Sequence, residues 1–299
     1  MGARVERGRG PQQAVVGLYW AAMLRQEHAI GEVFCYRFCG PEPDHALLVL
    51  HGLGGHGGIY NNFGDFHAAR GVDLWTMDAP GHGRSCISQR PGQFTLGEWV
   101  QDTVACAEHI KSATGLPVFV KGSSLGAAPA YCAMASAPET FEGAVLMGFG
   151  IPSSPLIPPE NPFRTQAYEQ LEAFWGDKFV LKIDRFFDFD SDYGYIGATE
   201  QKKADPYNTW FYDMASWASL FRYDPAIPLA QNTKPILFAV GEQDPTFPPA
   251  LAQEVVDATA GPTEFYIHPE GKHQLMLFHT AEYSDVMLRW CRATMSDGG

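Results

Sequence analysis

The chain has 299 residues, 45% of them hydrophobic and 18% charged, which suits a large globular domain and excludes a disordered chain. A net charge of −13 sets it against phosphate backbones and anionic membrane surfaces, so nucleic acid is not an expected partner. Six cysteines (Cys35, Cys39, Cys86, Cys106, Cys132 and Cys291) lie mostly in apolar surroundings and read as free buried thiols of a cytoplasmic protein. No Cys or His pair near Cys35 and Cys39 completes a metal site there.

The N-terminus opens with the basic stretch MGARVERGRG and continues into an apolar run of 11, AVVGLYWAAML. This outline resembles a secretory signal, but Arg25, Gln26 and Glu27 follow without a small-residue cleavage site. Val15, Leu18, Tyr19, Ala22 and Met23 recur at helical spacing. Residues 12–27 are therefore expected to form an amphipathic helix packed on the body, within an N-terminal unit of residues 1–30. The run is too short to span a membrane, and no integral membrane segment is expected.

Seven runs then read as strands: 33–38, 46–50, 72–77, 118–121, 144–148, 236–240 and 264–268. Most are continuously apolar, as strands buried on both faces are. Helical patterns fall between them. Residues 95–114 start with a Thr95–Glu98 capping box. Residues 248–260 start on proline and stop at Gly261, and 280–294 start at Thr280, whose hydroxyl can cap. This alternation predicts an α/β fold, a mostly parallel sheet flanked by helices, with its core in two parts, 31–150 and 233–299. Residues 151–232 break the rhythm. They open on the proline-rich IPSSPLIPPENP, show no clear strand, and hold 17 of the 39 aromatics in 82 residues. They are expected to form a helical cap, with helices at 164–176 and 207–221, whose aromatics line an apolar pocket.

The chemistry centres on VFVKGSSLGAA, residues 118–128. The pattern G-x-S-x-G fits Gly122, Ser124 and Gly126, whereas Ser123 has Lys121 and Leu125 at the same offsets. A strand runs into the motif and a helical run follows, the setting of a nucleophile elbow. A serine needs a base, and the base needs a carboxylate to orient it. Asp244 follows the strand 236–240, and His273 lies in the loop after the strand 264–268, so both open at the carboxyl edge of the sheet. His268 ends that last strand and reads as structural. Ser124, Asp244 and His273 are thus the expected catalytic residues.

The glycine-rich run LVLHGLGGHGG (48–58) follows a strand and places the Leu53 N–H to serve, with the Leu125 N–H, as an oxyanion hole. It lacks the signatures of phosphate or dinucleotide loops, and the spacing of His51, His56 and His82 matches no metal-ligand set. The stretch MDAPGHGRS (77–85) reads as a loop at the pocket floor, with Asp78 and Arg84 as structural partners. Candidates for the pocket wall are His51, Gly52, Phe149, Trp175, Trp210, Phe211, Trp217 and Phe247.

Taken together, HGLGGH, DAPGHGRS, GSSLGA, GEQDPTFP and GKH, in this order over residues 48–273, resemble the α/β-hydrolase superfamily. They look most like its monoacylglycerol lipase, lysophospholipase and serine-aminopeptidase-like group. The resemblance implies an eight-stranded sheet, a helical cap after the sixth strand, and covalent catalysis without metal or cofactor. A serine at the elbow departs from the dehalogenase and epoxide-hydrolase branches, which use Asp there, and Ser123 stands where many relatives have His. The expected activity is hydrolysis of an ester-like bond in a hydrophobic or aromatic small molecule; an ester, a lactone and a thioester all fit. A serine aminopeptidase would need a carboxylate in the cap for the substrate's amine, with Glu169, Glu172, Asp188 and Asp190 as candidates. A binding protein without turnover is the alternative of another class. Nothing in the sequence marks an oligomeric state.

Overall fold

The computed structural model describes residues 25–86, 90–148, 150–158, 160–175 and 178–297. Its strands are β1 (Gln26–Ile30), β2 (Val33–Cys39), β3 (His45–Leu50), β4 (Val72–Met77), β5 (Val118–Ser123), β6 (Gly143–Met147), β7 (Val180–Lys182), β8 (Phe211–Asp213), β9 (Ile236–Gly241) and β10 (Thr263–His268). Eight of them form one sheet in the order β1-β2-β4-β3-β5-β6-β9-β10. The β1–β2 and β2–β4 pairs are antiparallel, and all later pairs are parallel.

Side-chain parity along the apolar strands builds two cores, one on each face. Helix α1 is Asn61–Ala68; on the sheet face opposite to it, Ala46, Leu48, Leu50, Val118 and Val120 enter the core shared with α2 (Leu96–Thr114) and α3 (Ala127–Ser136). Leu47, Val49 and Phe119 enter the other core, covered by α1 and the C-terminal helix. The predicted capping box is present: the Thr95 hydroxyl accepts the Glu98 N–H, and the Glu98 carboxylate accepts the Thr95 N–H.

Between β6 and β9 lies the insertion. It contains α4 (Gln166–Trp175), α5 (Phe189–Tyr193), α6 (Ala198–Ala204) and α7 (Met214–Arg222), and also the antiparallel pair β7–β8. The sequence showed no strand here, because three-residue strands are too short for a period of two to register. Residues 211–213, expected in a helix, are β8. After β9 come α8 (Pro249–Asp257), α9 (Leu275–Phe278) and α10 (Thr280–Asp297).

The helix expected over residues 12–27 lies almost wholly outside the described residues, and its last two positions are strand instead. β1 is an edge strand with mostly exposed side chains, so no apolar run announced it. Among the described residues, no helix is long and apolar enough to cross a membrane.

Candidate active site

The parallel register aligns Leu50 with Met77 and with Gly122, Ser123 with Met147, and His268 with Gly241. The loops after β3, β4, β5, β9 and β10 therefore emerge together at one edge. β5 turns directly into a 3-10 turn, Ser124–Gly126, and then α3. Ser124 has φ 52°, a left-handed conformation that costs a non-glycine residue about 1–3 kcal/mol. A Cβ on Gly122 would lie 2.5 Å from Ala127 Cα, and one on Gly126 would lie 2.5 Å from the His51 carbonyl oxygen. Only glycine lets strand, helix and the 51–58 loop close up around the serine. Parity turns Ser123 to the opposite face, where it is fully buried; Ser124 stands on the pocket wall. Beside Ser123, burial pushes the Tyr60 phenol up to about 12, moderated by Ser123 and the Gly52 backbone.

His273 Nε2 lies 2.9 Å from Ser124 Oγ, and its Nδ1 lies 2.8 Å from Asp244 Oδ2. A carboxylate only accepts, so Nδ1–H donates to Asp244 and Nε2 is left to accept the serine proton. Asp244 Oδ1 accepts the N–H groups of Thr246 at 2.8 Å and Phe247 at 2.9 Å, which fixes the carboxylate plane. The Phe247 ring stacks on the His273 ring at 5.8 Å.

The 51–58 loop presses on the elbow: a Cβ on Gly52 would lie 2.9 Å from Ser124 Cβ. Leu53 and Leu125 both line the pocket next to Ser124. The loop is held from behind by histidines. His51 Nδ1–H donates to the Gly52 carbonyl at 2.9 Å, while Nε2 accepts the Ala79 N–H at 3.1 Å. Tyr212 of β8 accepts the Gly54 N–H at 2.8 Å and donates to His82 Nε2 at 2.8 Å, with His82 Nδ1–H on the Pro80 carbonyl. Burial holds His51 well below the usual range and His82 down to about 4, so both rings are neutral and each has a lone pair to accept with. His56 Nε2–H donates to Asp205 at 2.9 Å. Asp78 accepts the Gly57 and Arg84 N–H groups, each at 2.7 Å. The 77–85 loop thus braces the 51–58 loop; it does not line the pocket, as a floor would.

The pocket has a volume of about 340 Å³ and walls that are almost wholly apolar. Trp217 and Phe247 line it as expected, with Leu156, Ile157, Phe187, Phe189 and Phe221. His51 and Gly52 do not: they open the 51–58 loop and set its shape without reaching the pocket wall. Trp210 packs on Phe189 at 5.7 Å and, with the half-exposed Phe211, lines a separate groove. The short β7–β8 pair, whose second strand begins at Phe211, carried no sequence signal. Phe149 and the Trp175 side chain lie outside the described residues. Asp188 caps α5, Asp190 binds the N–H groups of Gly197 and Thr199, and Glu172 pairs with Arg222, so none of these three acids faces the pocket. Glu169 is likewise absent from its wall, and the carboxylate that does line it is Asp192. Spacing by three and four on α5, from Phe189 to Asp192 and Tyr193, is the signal that points there. His268 is built into the β10 end, accepting the Glu270 N–H at 3.2 Å, with its ring tilted against that of His279 at 4.0 Å.

A sheet of this order, covered by helices on both faces and carrying a serine on the turn after β5, defines an α/β-hydrolase. The crystal structure of a monoacylglycerol lipase from Paleococcus ferrophilus shares this fold: TM-score 0.67, with 19% identity, covering 88% of this chain and 99% of that one. The family described as serine aminopeptidase, S33 matches residues 41–278, and the chain belongs to that family of hydrolases. Human monoglyceride lipase is 30% identical over 149 residues, 49% of this chain and 46% of that protein. A monoglyceride lipase homolog of monkeypox virus is 32% identical over 116 residues, 38% and 40% of the two chains. The chain thus spans less than half the length of either relative.

Proposed function

We propose that the protein is a serine hydrolase that cleaves an ester bond in a small hydrophobic molecule, with Ser124, His273 and Asp244 as its catalytic residues. The observation that carries this reading is the hydrogen-bonded chain from Asp244 through His273 to Ser124, opening into an apolar pocket. Ser124 Oγ attacks the ester carbonyl as His273 Nε2 takes its proton. Asp244 keeps the imidazole in the required tautomer and stabilises the cation that forms. The N–H groups of Leu53 and Leu125 receive the oxyanion, the second from the start of a helix where the dipole favours negative charge. His273 returns the proton to the leaving alcohol and then activates water to release the acyl group. The monoglyceride lipase relatives support an ester substrate, and the insertion acts as the cap that closes the pocket.

At about 340 Å³ the pocket is at the small end of the usual range for ligand sites, which favours short and medium acyl chains. A series of p-nitrophenyl esters of rising chain length tests this, alongside a lactone, a thioester and an amino-acid p-nitroanilide. Turnover is expected to peak at short to medium esters and to fall by roughly 10³-fold or more in Ser124→Ala. Preference for the anilide would replace the esterase reading with a peptidase one.

A further inference from the structure

We propose that Asp192 is a positioning residue, a second carboxylate brought from the insertion to hold Asp244 and His273 in place and to share the charge His273 acquires. This rests on the serine-hydrolase reading above. Asp192 is only 6% exposed and lies on the wall of the pocket that Ser124 and His273 share. Its helix α5 is set by Asp188, whose carboxylate accepts the N–H groups of Asp190 at 3.1 Å and Ser191 at 3.3 Å.

Two contacts join Asp192 to the catalytic loops. Its main-chain carbonyl accepts the His273 N–H at 3.2 Å. Its carboxylate accepts the Thr246 hydroxyl, and the same Thr246 donates its N–H to Asp244 Oδ1 at 2.8 Å. Thr246 is therefore a strut between two carboxylates, and Asp192 reaches Asp244 through it.

An apolar side chain would suit this wall better than an acid, because burying a carboxylate is costly unless its charge is compensated. Burial does push the Asp192 carboxyl up, opposed by His273 and by the Thr246 hydroxyl. The titratable groups facing it are His273 and Asp244 from the two loops, Asp188 at the cap of its helix, Tyr193 from the helix itself, and Lys202 from α6. Of these, only His273 gains positive charge during the proposed reaction. An anion beside it favours the protonated ring, so it supports the transition state in which Ser124 has given up its proton.

The test is the pH dependence of Ser124 phosphonylation by a fluorophosphonate, in wild type, Asp192→Asn, Thr246→Val and Thr246→Ser. Asn keeps an oxygen for the Thr246 hydroxyl and removes only the charge. The expected results are a plateau rate about tenfold slower in Asp192→Asn, with the acid limb moved about one pH unit lower. Thr246→Val should slow labelling several-fold, and Thr246→Ser should stay near wild type. An unmoved acid limb in Asp192→Asn overturns the inference, while wild-type labelling at Ser124 leaves the serine-hydrolase reading standing. A wild type that does not label at Ser124 removes both. If circular dichroism shows Asp192→Asn unfolded, the Thr246 pair decides: equal rates for Val and Ser overturn the inference.

Discussion

Ser123 and Ser124 are one peptide apart, and backbone geometry gives them opposite surroundings. Strand parity sends Ser123 into the core beside Tyr60, while the left-handed turn lifts Ser124 to the pocket. Ser123→Ala should therefore keep turnover within a few-fold of wild type, as steady-state kinetics will show. Tyr212 is a residue of the opposite kind: it does not line the pocket, yet it is the link between the Gly54 N–H and His82. Tyr212→Phe leaves both groups buried and unpaired. A loss of about 1–3 kcal/mol is expected in denaturant unfolding, with kcat reduced and KM little changed. An unchanged melting curve would show that the loop does not depend on this bond. The glycine offsets picked Ser124 from sequence, because spacing around an elbow is local. Asp192, Thr246 and Tyr212 were missed because each acts through a contact distant along the chain.

At the scale of elements, the apolar strands were legible because burial on both faces leaves a continuous hydrophobic run. The exposed edge strand β1 and the short pair β7–β8 lack that signature, and both escaped. Capping was equally legible, since a capping box is written within four residues. Thr95→Ala removes the acceptor for the Glu98 N–H and should cost about 1 kcal/mol in urea unfolding, with activity retained. No loss would mean that the end of α2 is held by packing alone. The insertion was legible as aromatic-rich and pocket-forming, but not its wall. Trp217 faces the pocket and Phe211 faces outward, a distinction that composition does not contain.

For the whole molecule, the parity that buries Ser123 also buries Lys121, whose amine meets Met276 Sδ and the Tyr283 ring at 5.8 Å, with no carboxylate partner among the described residues. Burial drives this amine well below its ordinary value. From that lowered value up to the unfolded value of about 10.4, the unfolded chain binds a proton that the folded chain does not, so this group makes stability rise with pH. Lys121→Met should gain about 1–3 kcal/mol at pH 7, and the gain should shrink as the pH approaches about 10. Thermal melts at the two pH values check both halves of that statement. The fold and its chemistry meet at a single atom, Ser124 Oγ, and peptide mapping after fluorophosphonate treatment reads it directly. One adduct is expected, on Ser124, lost in Ser124→Ala and kept in Ser123→Ala; an adduct on Ser123, or turnover undiminished in Ser124→Ala, would contradict Ser124 as the nucleophile.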